Sequence, residues 1–212
     1  MSLTINNLSI QLNERSIIDS FNLEICAGEI WSIMGPSGCG KSTLLKAICG
    51  ALSHGKDGDF LLSGEVFLNQ QAIHLLPIEQ RNIGLLFQDD LLFPHMDVAG
   101  NLAFALPSSL SKQQKQKRIE QALEEAELSG LENYDVAKLS GGQRARVSLM
   151  RALLAEPKAI LLDEPFSKLD SRLRHSFRHS VFELIEKRNI PALLVTHDEA
   201  DIANSNHLIR FS

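Results

Sequence analysis

The chain of 212 residues has few cysteines, no surplus of basic residues and no long uncharged apolar run. Its three cysteines, Cys26, Cys39 and Cys49, cannot all pair with one another, which favours a reducing compartment. With 21 Lys and Arg against 26 Asp and Glu, the formal net charge is −5. Coating a nucleic acid requires a basic surplus facing phosphates, so we expect no nucleic-acid partner.

The most apolar long stretch, residues 85–107, contains Asp89, Asp90 and Asp97. A membrane-spanning helix needs about 20 predominantly apolar residues, so this stretch does not predict one. The N-terminus also lacks the basic start and apolar core of a signal peptide. We expect a soluble chain that can dock on a membrane partner. Its composition, 44% hydrophobic and 22% charged, is ordinary for a globular domain and excludes a largely disordered or low-complexity chain.

The pattern of apolar residues predicts strands alternating with helices. Two antiparallel strands fill the first part of the chain, with a turn at residues 13–16, and a buried strand at 29–34 leads through a glycine-rich loop into a helix at 41–49. Residues 54–63 are polar and predict a loop. Further strands are expected at residues 64–68 and 83–87.

The middle of the chain, residues 97–154, has a helical pattern, including a helix at 111–128 that Ser111 would cap. After Pro157, strands at 159–162 and 191–195 alternate with helices at 171–188 and 198–203. Strands that alternate with helices favour a mostly parallel sheet. The sequence therefore predicts an α/β domain with a helical lobe inserted into it.

A phosphate-binding pattern follows the third predicted strand, because residues 35–43 read GPSGCGKST and match G-x-x-x-x-G-K-[ST]. The glycines allow successive backbone N–H groups to turn towards phosphate oxygens, and the helix that follows contributes its positive N-terminal end. Lys41 would hold the β- and γ-phosphates, and the hydroxyl of Ser42 would bind Mg²⁺.

A second element with chemical meaning is the apolar strand at residues 159–162, which runs into Asp163 and Glu164. Ligands of open α/β sheets bind at the carboxyl ends of the strands. Asp163 would hold Mg²⁺ directly or through water. Glu164, one residue further, would polarise the water that attacks the γ-phosphate.

Residues 139–143 read LSGGQ, an element that a generic P-loop enzyme lacks. With it, the sequence resembles the ATP-binding subunits of ABC transporters, in which LSGGQ is the signature motif. The resemblance implies a P-loop NTPase fold with a RecA-like parallel sheet core, an N-terminal antiparallel β-subdomain and an inserted α-helical lobe. It also implies that two ATP molecules lie between two copies of the chain arranged head to tail. Each signature motif then grips a phosphate bound to the opposite copy.

Three further segments match the family in order along the chain. Gln88 matches the Q-loop glutamine, which senses Mg²⁺ and the attacking water and links to the membrane subunit. Residues 167–170, SKLD, match the D-loop, with Lys168 where alanine is more usual. His197 matches the switch histidine, which contacts the γ-phosphate.

The resemblance, taken with the residue chemistry, implies a set of site residues. The expected catalytic residues are Lys41, Gln88, Glu164 and His197, and the expected Mg²⁺ ligands are Ser42, Gln88 and Asp163. The expected ATP-binding residues are Leu12, Gly35, Pro36, Ser37, Gly38, Cys39, Gly40, Lys41, Ser42, Thr43, Ser140, Gly141, Gly142, Gln143 and Asp170.

The resemblance also implies a domain division and partners. Residues 1–212 form one ABC ATPase domain, with an ATP-binding core at 1–88 and 156–212 and the helical signature subdomain at 89–155. Residues 87–102 resemble the bacterial importer branch, including thiamine, iron and sulfate importers, in which this segment forms a groove for the membrane permease. We therefore expect a peripheral protein on the cytoplasmic face of the bacterial inner membrane that acts indirectly with a solute-binding protein. A soluble or export-type ABC ATPase is the alternative.

Several features depart from the family pattern or allow a second interpretation. Leu12 occupies the position where an aromatic residue usually stacks on adenine, so we expect weaker discrimination against GTP. Because the sequence ends at Ser212, we expect no C-terminal regulatory domain. Modification of Cys39, inside the phosphate loop, should block ATP binding. The basic run at residues 112–118 is interpreted as a solvated helix face and not as a lipid or nucleic-acid site.

Overall fold

The computed structural model of the chain describes residues 1–52 and 60–211. Within them the strands are β1 (Ser2–Leu12), β2 (Arg15–Cys26), β3 (Ile30–Met34), β4 (Phe60–Leu68), β5 (Gln71–Ala72), β6 (Ile83–Leu86), β7 (Ala159–Asp163), β8 (Ala192–Thr196) and β9 (Leu208–Arg210). The helices are α1 (Lys41–Cys49), α2 (Val98–Ala103), α3 (Lys112–Glu125), α4 (Gly141–Leu154) and α5 (Ser171–Arg188). The chain is thus mixed α/β, as the sequence predicts.

The first sheet is antiparallel and has the strand order β2-β1-β4-β5. Alternate residues of β1, such as Leu3 and Ile5, are buried, which is the period-two pattern of a sheet with one face on a core. Gly64 lies where β4 crosses an irregular stretch of β1, and a Cβ there would lie 2.4 Å from the carbonyl oxygen of Asn7. Only glycine allows this close approach, at a φ of 95°.

The second sheet has the order β6-β7-β8-β3-β9, and its β7–β8, β8–β3 and β3–β9 pairs are parallel. Every residue of β7 and β8 is buried. Continuous apolar strands of this kind are typical of parallel sheets covered on both faces. The parallel arrangement brings the carboxyl ends of β3, β7 and β8 to one edge, and the predicted phosphate loop and both predicted carboxylates follow from that edge.

By its contacts the chain forms two compact units. The first comprises Met1–Leu85, Lys158–Glu164 and Leu184–Ser212 and contains the antiparallel sheet and most of the parallel one. The second comprises Leu86–Pro157 and Pro165–Glu183 and contains α2, α3 and α4. The domain boundaries expected from the sequence remain a prediction.

In the second unit, α3 and α4 begin with the same device. Ser111 and Ser140 are N-caps whose side chains accept from the backbone of Gln114 and Gln143, and each of these glutamines reaches back to the backbone of its serine. These capping boxes satisfy backbone N–H groups that would otherwise lack a partner in the first helical turn. The predicted cap at Ser111 is confirmed.

Two local predictions need correction, and two short strands escaped prediction. The predicted loop at 54–63 is strand from Phe60 onward, because Phe60–Ser63 pair with β1, while residues 54–59 lie outside the described residues. The helix expected at 198–203 is only a 3₁₀ turn, Glu199–Asp201, because Ile202 is already extended. The short strands β5 and β9 were not predicted. In the described part of the chain, no helix is long and apolar enough to cross a membrane.

Candidate functional site

The loop that follows β3 has the geometry expected of a phosphate-binding loop. β3 ends at Met34 and α1 begins at Lys41, with Gly40 at the N-cap position in the left-handed conformation, φ 98°. A Cβ on Gly40 would lie 2.6 Å from the Ile17 side chain, so residue 40 must be glycine for both conformational and steric reasons. Within the described residues no side chain caps α1 and its first turn has no acidic residue, so its amides suit an anion.

Lys41 is almost fully buried, with 5% of its surface exposed. Its ammonium group donates to the carbonyl oxygens of Gly35 and Pro36 at 2.7 and 2.8 Å and lies 3.8 Å from the sulfur of Cys39. The charge is therefore held against the backbone of the phosphate loop itself. A buried ammonium in this position is suited to bind phosphate oxygens.

Ser42 and Asp163, the two predicted magnesium ligands of the first unit, are in direct contact. The hydroxyl of Ser42 donates to Oδ1 of Asp163 at 2.8 Å, although the two residues are 121 positions apart in sequence. Burial raises the pKa of Asp163 above its usual value; the hydrogen bond from Ser42 opposes the rise, and the neighbouring charge of Glu164 adds to it. The two side chains place hard oxygen atoms side by side at the carboxyl end of β7.

Glu164 and His197 form the second contact at this edge. Nδ1 of His197 lies 3.2 Å from Oε2 of Glu164. Glu164 has a φ of 46°, in the left-handed region that non-glycine residues rarely adopt, and its N–H donates to the carbonyl of Val195 at 3.0 Å. On the other side, the hydroxyl of Thr196 bonds to Asp201, which fixes the residue before His197. The carboxylate and the imidazole are thus held together by the ends of two adjacent parallel strands.

The signature segment opens α4 in the second unit. Ser140 and Gly141 are exposed at the helix N-terminus, Gly142 is buried, and Gln143 closes the capping box. A Cβ on Gly142 would lie 3.3 Å from Leu173. An exposed helix N-terminus with a serine and a glycine can accept an anion from another molecule.

The predicted Q-loop and D-loop residues contact each other, also within the second unit. Nε2 of Gln88 donates to the Ser167 hydroxyl at 3.4 Å, and Lys168 forms an ion pair with Asp89. Asp170 accepts from the backbone N–H of Leu173 at 3.0 Å and so caps the start of α5.

The first unit therefore joins Ser42 to Asp163 and Glu164 to His197, beside the loop that holds Lys41. Gln88, Asp170 and the signature residues belong to the second unit. Leu12 lies half-buried at the end of β1 and packs on the core of the first unit.

Sequence reasoning missed three contacts. Ile17 touches the phosphate loop at Gly40, Ser167 bonds to Gln88, and Asp90 pairs with Arg144 at 2.8 Å. The signal that the sequence offered for the ion pairs was the two consecutive acidic residues after Gln88, Asp89 and Asp90. Nothing in the spacing indicated their partners.

Comparison with known proteins gives a consistent result. Residues 18–167 match the family described as ABC transporter. The chain is 48% identical over 200 residues to the uncharacterized ABC transporter ATP-binding protein YnjD of Escherichia coli (strain K12), covering 94% of this chain and 90% of that protein.

Two further relatives are named Fe(3+) ions import ATP-binding protein, FbpC in one case and FbpC 1 in the other. The protein of Pasteurella multocida is 38% identical and that of Haemophilus influenzae is 36% identical, each over 200 residues and 94% of this chain. The chain spans only 55% and 59% of the length of these two relatives.

Proposed function

This chain belongs to the ABC transporter family of ATP-binding proteins, which hydrolyse ATP, and from that premise we propose that it powers solute import through separate membrane subunits. The observation that carries the catalytic part of the proposal is the contact of Ser42 with Asp163, beside Lys41 and the Glu164–His197 pair. These are the groups that phosphoryl transfer to water requires: a phosphate cradle, oxygen ligands for a metal ion and a proton acceptor.

The oxygen atoms at this edge fit Mg²⁺. Magnesium is usually held by one or two protein oxygens together with phosphate oxygens and waters, and Ser42 and Asp163 supply such a pair. Bound Mg²⁺ would neutralise charge on the phosphates. We assign Gln88 as a further ligand contributed by the Q-loop.

The remaining residues act on the nucleotide and the water. The backbone of residues 35–43 and the ammonium of Lys41 bind the phosphates. Glu164 accepts a proton from the attacking water. His197, whose Nδ1 lies 3.2 Å from Oε2 of Glu164, contacts the γ-phosphate and orients the carboxylate. The left-handed φ of Glu164 supports this assignment, since strained residues cluster at functional sites.

We propose that two copies form a head-to-tail dimer with ATP between them. The signature residues of one copy, Ser140, Gly141, Gly142 and Gln143, then hold the nucleotide on the phosphate loop of the other, together with Asp170. The exposure of Ser140 and Gly141 at the start of α4 supports this arrangement. Leu12 contributes an apolar contact for the base.

Import is preferred to export or to a soluble role because the named iron relatives are import proteins. We propose that the permease docks on the groove around residues 88–101 and that a solute-binding protein delivers the solute to the permease. The chain would then lie on the cytoplasmic face of the bacterial inner membrane as a peripheral subunit. The resemblance of residues 87–102 to iron, thiamine and sulfate importers and the names of the iron relatives both support this proposal.

The test is size-exclusion chromatography of Glu164→Gln with and without Mg-ATP. The variant should bind ATP without turning it over, so ATP should shift it from monomer to dimer. Lys41→Ala is the control, because it should bind ATP weakly and show no shift. A variant Glu164→Gln that hydrolyses ATP at the wild-type rate would contradict the assigned base. ATP binding without a dimer would mean that the permease is needed for assembly.

A further inference from the structure

Three consecutive residues of the Q-loop, Gln88, Asp89 and Asp90, each contact another segment of the second unit. Gln88 bonds to Ser167 and Asp89 pairs with Lys168, so two neighbours on one loop match two neighbours on another. Asp90 instead pairs with Arg144 in the first turn of the signature helix α4. The three residues therefore lie between the D-loop and the signature helix.

The α4 side of this arrangement is firmly attached. Besides its ion pair with Arg144, Asp90 accepts through its backbone carbonyl from the hydroxyl of Ser148 at 2.8 Å. Arg151 donates to the carbonyl of Leu91 at 2.9 Å and lies over the ring of Phe93. Residues 90–93 are thus held along one face of α4. Because this anchor begins at Asp90, the direction of the Gln88 side chain depends on the contacts that Gln88 and Asp89 make.

The D-loop is equally well attached at its base. Phe166 is fully buried and packs edge-on against Phe177 of α5, and Arg174 donates to the carbonyl oxygens of Ser167 and Leu169. Because Ser167 and Lys168 stand on this fixed base, less conformational entropy is lost when Lys168 pairs with Asp89 than between two mobile surface chains.

These contacts matter for function because they set which end of the Gln88 amide is available. Its Nε2 donates to Ser167, which leaves Oε1 as the acceptor end of the amide. An amide oxygen can bind a magnesium ion or accept a proton from water in a hydrogen bond, as other hard oxygen ligands do. A side chain held the other way round would present donors instead.

We propose that Ser167 and Lys168 are positioning residues for the ATPase reaction, which hold the side chain of Gln88 through its amide nitrogen and so keep its amide oxygen available as an acceptor. Ser167 does so through Nε2 of Gln88, and Lys168 does so by holding Asp89, the residue next to it. The inference rests on the proposed function, in which Gln88 binds Mg²⁺ and the attacking water.

The expected effects are modest, because the Lys168 and Asp89 side chains are 56% and 69% exposed. Exposed ion pairs contribute up to about a fivefold change in an equilibrium. We expect Lys168→Ala and Asp89→Ala each to lower kcat about two- to fivefold, with the KM for ATP unchanged. Ser167→Ala removes a neutral hydrogen bond and should lower kcat by about two- to tenfold.

The experiment measures kcat and KM for Mg-ATP on the full chain at low salt and at 0.5 M salt. Lys168→Arg should restore the rate at low salt, and the charge exchange Asp89→Lys with Lys168→Asp should restore most of it. Added salt should narrow the difference between wild type and Lys168→Ala, since screening weakens an exposed pair. Lys117→Ala on α3 is the matched control for the loss of an exposed lysine, and unfolding midpoints report the fold of each variant.

Gln88→Ala separates the role of Gln88 in the proposed function from the positioning role of Ser167 and Lys168. If Gln88→Ala leaves kcat at the wild-type value, the role of Gln88 in the proposed function is wrong. If Gln88→Ala lowers kcat but Lys168→Ala and Ser167→Ala do not, the positioning role is wrong and the function stands. A loss in Lys168→Ala that neither Lys168→Arg nor the charge exchange restores would also overturn the inference.

Discussion

The hydrogen bond between Ser42 and Asp163 allows a prediction about stability that is separate from catalysis. Asp163 is 8% exposed, and burial raises its pKa. A carboxyl group whose pKa is higher in the folded than in the unfolded chain is more costly to ionise when folded. The cost applies at neutral pH and disappears as the pH falls through the folded-state pKa. The ionised Asp163 therefore lowers the stability of the metal-free chain, and the hydroxyl of Ser42 offsets part of that loss.

Ser42→Ala should thus destabilise the metal-free protein. A typical hydrogen bond contributes about 0.5–1.5 kcal/mol, and the exposed position of Ser42 allows water to replace its hydroxyl in part. We expect a loss of about 1 kcal/mol, which in a chain of this size lowers the unfolding midpoint by about 2–4 °C. Asp163→Asn removes the buried charge and should raise the midpoint in the same buffer.

The assay is thermal unfolding in EDTA at pH 7, with the two single variants and the double variant measured as a cycle. In the Asp163→Asn background, Ser42→Ala should cost less than in the wild type, because the charged acceptor is gone. Ser37→Ala is the control, since its side chain is exposed on the same loop. Equal effects of Ser42→Ala in both backgrounds, or a midpoint of Asp163→Asn below that of the wild type, would refute the reasoning.

Three more predictions concern Leu12, Cys39 and Ser140. Leu12→Tyr should tighten nucleotide binding, because an aromatic face contributes about 1–3 kcal/mol to a stacked base, as measured by competition binding; an unchanged affinity would contradict a contact of residue 12 with the base. A wild type that turns over GTP tenfold more slowly than ATP would contradict the expected weak discrimination between the two bases. Cys39 should be alkylated in the free chain and protected by Mg-ATP. Cys49 should stay unlabelled, because it is buried and burial raises its pKa. Equal labelling of Cys39 with and without nucleotide would contradict this prediction. Ser140→Ala should cost about 1 kcal/mol of stability through the lost cap, and it should also weaken the ATP-dependent dimer of Glu164→Gln. Ser111→Ala is the control, because it loses an equivalent cap on α3 and should keep the dimer.

Much of the fold was predictable because the sequence states it locally. The uninterrupted apolar runs of β7 and β8 are typical of parallel strands covered on both faces. In the loop between β3 and α1, the backbone geometry at residue 40 requires glycine. The caps at Ser111 and Ser140 are also local, since each involves residues three apart.

The parts that escaped prediction depend on distant residues. The two-residue strand β5 and the three-residue strand β9 are too short to carry a hydrophobic period, and β9 exists because it pairs with β3. The pairing of Asp89 with Lys168 joins residues 79 apart, and no spacing rule indicates it. The left-handed backbone of Glu164 is likewise invisible, since the type of residue gives no sign of it.

The edge of the parallel sheet combines two unfavourable residues with a very stable support. Asp163 is a buried carboxylate, and Glu164 beside it has a backbone conformation that costs on the order of 1–3 kcal/mol. Both follow directly from β7, whose five residues are all buried, and Glu164 is tied to Val195 at the end of the equally buried β8. A well-packed strand pair can hold its last residues in an unfavourable state, because relaxing them would disturb the core. This explains why the predicted metal ligand and the predicted base lie at the ends of the most deeply buried strands and not on a surface loop.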